Sequence, residues 1–137
     1  MSLQIDAPEL KIKTKRLLHN EIRLHTNDSA LILSAHTGML NKKGQFTGWA
    51  FNTEAYNNHI SSRLNWSNNS DTTFCGEINT LALLQNSAHG IDYNIRILPT
   101  QIIIGDSVWH IRPATIDIEN GKGHIDRIEV RHQEQYM

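Results

Sequence analysis

Between Asp92 and His132 the chain passes through five short runs in which apolar and polar residues alternate: DYNIRIL, TQIIIG, SVWHIR, ATIDIE and HIDRIEVRH. Successive side chains of a strand point to opposite faces, so alternation of this kind marks strands with one covered face. Asn120-Gly121 stands between the last two runs. That dipeptide tolerates the positive φ angles of a two-residue turn, and such a turn joins only antiparallel neighbours. The final third is therefore expected to be antiparallel sheet. Ile116 and Ile118 face inward before the turn. Ile125, Ile128 and Val130 follow it, and their spacing of three then two predicts a bulge near Asp126 or Arg127.

Upstream the pattern is less uniform. In PELKIKTKRLLHNEIRLHTND, Leu10 and Ile12 alternate with lysines, and Ile22 and Leu24 alternate with Arg23 and His25. Period two gives two strands joined near His19 and Asn20. A looser stripe of Leu10, Leu17, Leu18 and Leu24 leaves a helix open over residues 9–25. SALILSAH and FTGWAF read as strands around the polar loop NKKGQ, so residues 30–51 form a hairpin with an irregular loop.

Two segments then show the spacing of helices. Asn52 or Thr53 offers an N-cap, and Tyr56, Ile60 and Leu64 recur every four residues. After the loop SNNSD, residues Phe74, Ile78, Leu81, Leu84 and Ala88 share one helical face, with Gly90 as a stop. The expected architecture is thus an α+β domain, with a mostly antiparallel sheet of five to eight strands and about two helices, near 53–65 and 74–88.

The chain has 137 residues, within the usual size of a single domain (1–137), and shows no internal repeat or linker. Charged residues make up 20% and the formal charge is −1, so no broad basic footprint for nucleic acid is present. One cysteine cannot form an intramolecular disulfide, and the opening MSLQIDAPELKIK lacks the apolar core of a secretory leader. Apolar runs such as Leu81 to Leu84 are far shorter than a membrane-spanning helix. A soluble cytoplasmic protein is the expectation.

Chemistry has few footholds. With Thr73 as N-cap, Cys75 would occupy the first turn of the second helix, where the dipole stabilises a thiolate. Gly76 would leave room for an oxyanion, His110 could serve as base, and Glu77 or Asp117 could orient it. Against this, cysteine is among the most buried residue types, and FCGE lacks the flanks of cysteine-protease signatures. The simpler role is a small residue at the core margin. The eight histidines show no H-x-H or H-x-x-x-H spacing, so no metal or other cofactor is expected. Lys11, Lys13, Lys15, Arg16 and Arg23 stand against Glu21 alone. They could contact phosphates, but no aromatic is interleaved to stack on bases, and lysines equally protect an edge strand. Trp49, Trp66 and Trp109 could line a pocket or build the core.

No phosphate loop, nucleophile elbow or zinc-protease motif is present. The leading expectation is a non-catalytic binding or assembly module that holds a protein partner or copies of itself through a sheet face or edge. The alternatives are a thiol-dependent hydrolase or transferase using Cys75 with His110, and nucleic-acid binding through Lys11 to Arg23.

Overall fold

The computed structural model describes residues 1–68, 70 and 72–133. All of its regular structure is strand: β1 (Ser2–Ile12), β2 (Lys15–Asn27), β3 (Ala30–Leu40), β4 (Phe46–Tyr56), β5 (His59–Asn68), β6 (Phe74–Ser87), β7 (Gly90–Ile97), β8 (Thr100–Ile104), β9 (Ser107–Ile111), β10 (Ala114–Glu119), β11 (Lys122–Asp126) and β12 (Val130–Gln133). They form one antiparallel sheet of 12 strands. The α+β expectation is overturned, and so is the strand number of five to eight.

Both expected helices are strands. A spacing of four returns to the same face in a strand as well as in a helix. Ile60 and Leu64 lie on one face of β5, while Tyr56 lies on the other face of β4, across the turn. Phe74, Ile78 and Leu84 share one face of β6, but Leu81 points the other way. The deciding residues are Asn57 and Asn58, at φ 46° and 63°. Two successive positive φ angles make the same kind of hairpin turn as Asn120-Gly121, where φ is 49° and 71°.

The strand path is simpler than the strand list. β6 pairs with β8 at its start and β7 towards its end, so β7 and β8 are successive parts of one return. β9 and β10 pair with β8 and β7 in turn, and β12 and β11 with β9 and β10. The chain therefore crosses the sheet in an up-and-down meander, each pass beside the one before it.

Prolines mark where these passes break. Pro99 separates β7 from β8, and Pro113 separates β9 from β10. Neither can donate to the ladder, which resumes through bonds such as Arg112 N–H to the Glu129 carbonyl at 3.0 Å. The uneven Ile125, Ile128, Val130 spacing is realised as the matching interruption at 127–129, with Arg127 at φ 25°. Pro8 lies opposite His19, where β2 carries a bulge and His19 has φ 53°. His19 and Asn20 are thus inside β2, and the first hairpin turns at residues 13–14 instead.

Side chains of Asn41 and Asn68 organise the two longer connections. Asn41 Oδ1 accepts hydrogen bonds from the backbone of Lys43 and Gln45 at 2.9 and 3.0 Å. Asn68 Oδ1 accepts from Phe74 N–H at 2.8 Å while its Nδ2 donates to the Thr72 carbonyl at 2.6 Å. The expected loop SNNSD falls here, and its residues 69 and 71 lie outside the described set.

Packing is that of a single layer. Among the described residues only Trp66 and Ala114 form a buried apolar core, at 8% and 5% exposure. The accessible surface is 10042 Å². A compact monomer of this 15.6 kDa mass would expose about 7,200 Å².

Candidate functional site on the apolar sheet face

Residues opposite each other in an antiparallel ladder share a face, so the register assigns every strand position to one of two sides. From β2 to β6 one row runs Leu24, Leu33, Thr53, Ser62 and Thr80, and another runs Ile22, Ala35, Phe51, Leu64 and Ile78. The side continues through Ile95 and Ile116 to Ile125, and back to Leu3 and Ile5 on β1. Among the paired strand positions of this side, Lys15, beside the first hairpin, is the one charged residue. The other side carries the rest, including Glu21, Arg23, Glu54, Arg63, Glu77 and Arg96.

Polar residues on the apolar side direct their hydrogen bonds into the sheet. Asn20 Nδ2 donates to the carbonyls of Ala7 and Leu17, both at 3.0 Å, and its Oδ1 accepts from the Thr37 hydroxyl at 2.7 Å. Thr53 donates to the Ser61 carbonyl at 3.0 Å and lies 2.7 Å from the Ser62 hydroxyl. Thr100 donates to the Glu77 carbonyl at 2.6 Å. Groups satisfied in this way present mainly methyl and methylene surface outward.

The centre of the side is aromatic. Trp49 stacks on Trp66 with ring centroids 5.4 Å apart, and Phe74 tilts against Trp66 at 5.9 Å. The Trp66 ring lies over Gly76, where an added Cβ would come within 2.6 Å of it. A glycine opposite a large ring gives the ring a flat seat in the sheet. The Trp66 Nε1–H is buried with no acceptor, a cost of about 1–3 kcal/mol for an unmade hydrogen bond. Around this centre the margins are open: Leu3, Ile5, Ile22, Leu31, Ile104 and Ile125 are all exposed.

The charged side holds the residues singled out for chemistry. Cys75 is half-buried and faces Ser67 and Ile103. His110 pairs with Gln101 and Arg131 on that same side. β8 runs between them, and strand spacing and rise place the two backbones about 12 Å apart. Neither residue is on a helix, so the dipole invoked for a Cys75 thiolate does not arise. Glu77 accepts from Asn79 at 2.7 Å, and Asp117 accepts from Asn94 at 2.5 Å.

The basic residues are not gathered. Lys11 and Arg16 face each other on the charged side, Lys15 lies on the apolar side and Lys13 is in the turn at φ 55°. Arg16 pairs with Glu9 at 2.7 Å, which raises the guanidinium pKa and holds the Glu9 carboxyl below its usual range. Arg23 pairs with Glu21. Arg131 likewise lowers Glu129, chiefly through its hydrogen bond.

A shallow depression on the charged side is floored by Gly38 and Gly48 and flanked by His19, His36, Phe46 and Asn65. No Asp, Glu, Lys or Arg lines it. Among the described residues no group of three His, Cys, Asp or Glu side chains is placed to hold a metal ion. Among these residues no helix is long and apolar enough to cross a membrane.

Comparison with protein-family models, with curated proteins and with solved structures returned no match. The case for function therefore rests on the two sides of the sheet. Trp49 and Trp66, first seen as either pocket or core, sit at the centre of the apolar side, and Trp109 lies on the same side against His132 at 4.7 Å. The continuous side itself was missed. Its signal was present in each run's alternation, but only the register joins the runs.

Proposed function

We propose that this chain is a non-catalytic binding and assembly module whose working surface is the apolar side of the sheet, held against a protein surface. One observation carries the reading: apart from Lys15 beside the first hairpin, the charged residues of the paired strands lie on one side of a single-layer sheet, and the other side is a continuous, mainly apolar surface. Monomeric proteins rarely expose such a patch beyond a few hundred Å². The hydrophobic effect therefore favours any partner that covers it, and the polar side keeps the assembly in water. The separation of Cys75 from His110 by β8 and the dispersal of the basic residues support the preference over the thiol and nucleic-acid readings.

The test compares the two sides. Leu33→Glu and Ile95→Glu place charge on the apolar side, and Ser34→Glu and Gln101→Glu place it on the charged side. Association, followed by light scattering, is expected to fall with the first pair and persist with the second. Equal behaviour of the two pairs would overturn the reading. Co-purification of a long-chain amphiphile, lost only in the first pair, would keep the surface but replace the protein partner.

A further inference from the structure

We infer that the occupant of the apolar side is a second copy of this chain, packed face to face about a two-fold axis as a two-layer sandwich. The inference rests on the apolar side being the working surface and adds the identity of what covers it.

Area is the first argument. The chain exposes 10042 Å², about 2,800 Å² more than a compact monomer of its mass. Removing that excess from each of two copies would bury about 5,600 Å² in total, at the upper end of obligate homodimer interfaces, which run about 2,000–5,000 Å² or more. A standard interface of about 800 Å² per partner would leave most of the excess in water.

Self-complementarity is the second. A two-fold interface sets one patch against itself, so every charge in the patch meets its own image region. The apolar side contains Lys15 alone, at the hairpin end of β1 and β2 and away from the aromatic centre. Two such faces meet without like-charge opposition. The hydrogen bonds of Asn20, Thr37, Thr53 and Ser62 are made within the sheet, so these groups ask little of a facing surface. Sheets packed face to face lie about 10 Å apart with side chains interdigitating. The ridge of Trp49, Trp66 and Phe74, with the lower row of Ala55 and Ala82 about 20 Å away along the strands, provides the relief for that.

The experiment is sedimentation of the full chain in detergent-free buffer, with dye binding to report exposed apolar surface. The wild-type chain is expected at twice 15.6 kDa at micromolar concentration, with little dye bound. Ile22→Glu and Ile104→Glu, at margins 43% and 49% exposed, are expected to preserve the β-sheet circular dichroism. Each substitution enters a two-fold interface twice, so each should weaken the dimer by at least about 100-fold. Ser34→Glu should leave it intact. A dimer or larger assembly insensitive to Ile22→Glu and Ile104→Glu would mean association through edges, and would overturn the inference. A wild-type monomer that binds dye strongly would also overturn it while leaving the apolar side as the working surface. A monomer that binds no dye would remove both, and an amphiphile found in place of the second copy would remove the inference and the protein partner while keeping the apolar side as the working surface.

Discussion

The two sides of this sheet share every backbone hydrogen bond yet follow different rules. On the apolar side, side chains touch one another across strands, and the Trp66 indole is pressed between Trp49, Phe74 and Gly76. On the charged side, contacts are exposed ion pairs and hydrogen bonds, such as Arg16 with Glu9 and Arg63 with Asn79 at 3.1 Å. Exposed pairs of this kind contribute about 0–1 kcal/mol each, whereas a buried aromatic contributes several. Stability should therefore be drawn mainly from one side.

The sharpest contrast is between neighbours on β5. Trp66→Ala should cost about 3–5 kcal/mol in urea unfolding, because it removes the large buried side chain of the described residues. Ser67→Ala, one residue on and facing the other way, should stay within about 0.5 kcal/mol. Similar losses at both would break the contrast.

Two glycines give the next test. An added Cβ at Gly76 would lie 2.6 Å from the Trp66 ring, which Trp49 and Phe74 hold in place. At Gly38 it would lie 2.2 Å from the far end of Phe46, whose ring belongs to the open charged side and has room to turn away. Gly76→Ala should thus destabilise by about 1–3 kcal/mol, and Gly38→Ala by less, despite the shorter distance. A thermal-melt comparison decides the order.

Turns belong to neither side and set a baseline. Asn58 has φ 63°, so Asn58→Gly should raise stability by about 0.5–1 kcal/mol and Asn58→Ala should lower it by about 1 kcal/mol. Neither should alter dye binding by the apolar side.

Acid gives the smallest effect. Glu9 and Glu129 titrate below the usual carboxylate range because Arg16 and Arg131 bind their charged forms. Their folded-state pKa values are depressed, so their contribution is present above the unfolded value of about 4.3 and is lost as pH falls through the folded value. Both are exposed ion pairs, so the slope of Tm against pH below about 4 should be shallow and should flatten further in salt. Glu9→Gln should remove part of that slope, while Gly76→Ala leaves it unchanged.

Much of the C-terminal half was legible from its residues. Asn120-Gly121 gave a turn and a direction of pairing, and the runs around it alternate because each has one apolar side. Pro8, Pro99 and Pro113 each stand where a ladder is interrupted, a signal left unread in the sequence. Residues 53–65 were misread because their apolar spacing of four suits both periods, and residues 74–88 because Leu81, an apolar residue on the charged side, completes a helical stripe with Phe74, Ile78 and Leu84. Asn57-Asn58 carried the correcting signal, as a pair tolerant of positive φ between two alternating runs. Cys75 and His110 could be named as candidates but not placed, because their separation depends on which strands lie between them.

The order of residues alone determined where the chain turns and which side chains alternate, since both depend on local φ preferences and on a period of two. Tertiary structure decided the rest, because interstrand hydrogen bonds fix which residues stand opposite one another. A register slip of a single residue would have scattered the charges over both sides. The observed register gathers them on one side, and leaves on the other an apolar surface that no single strand contains.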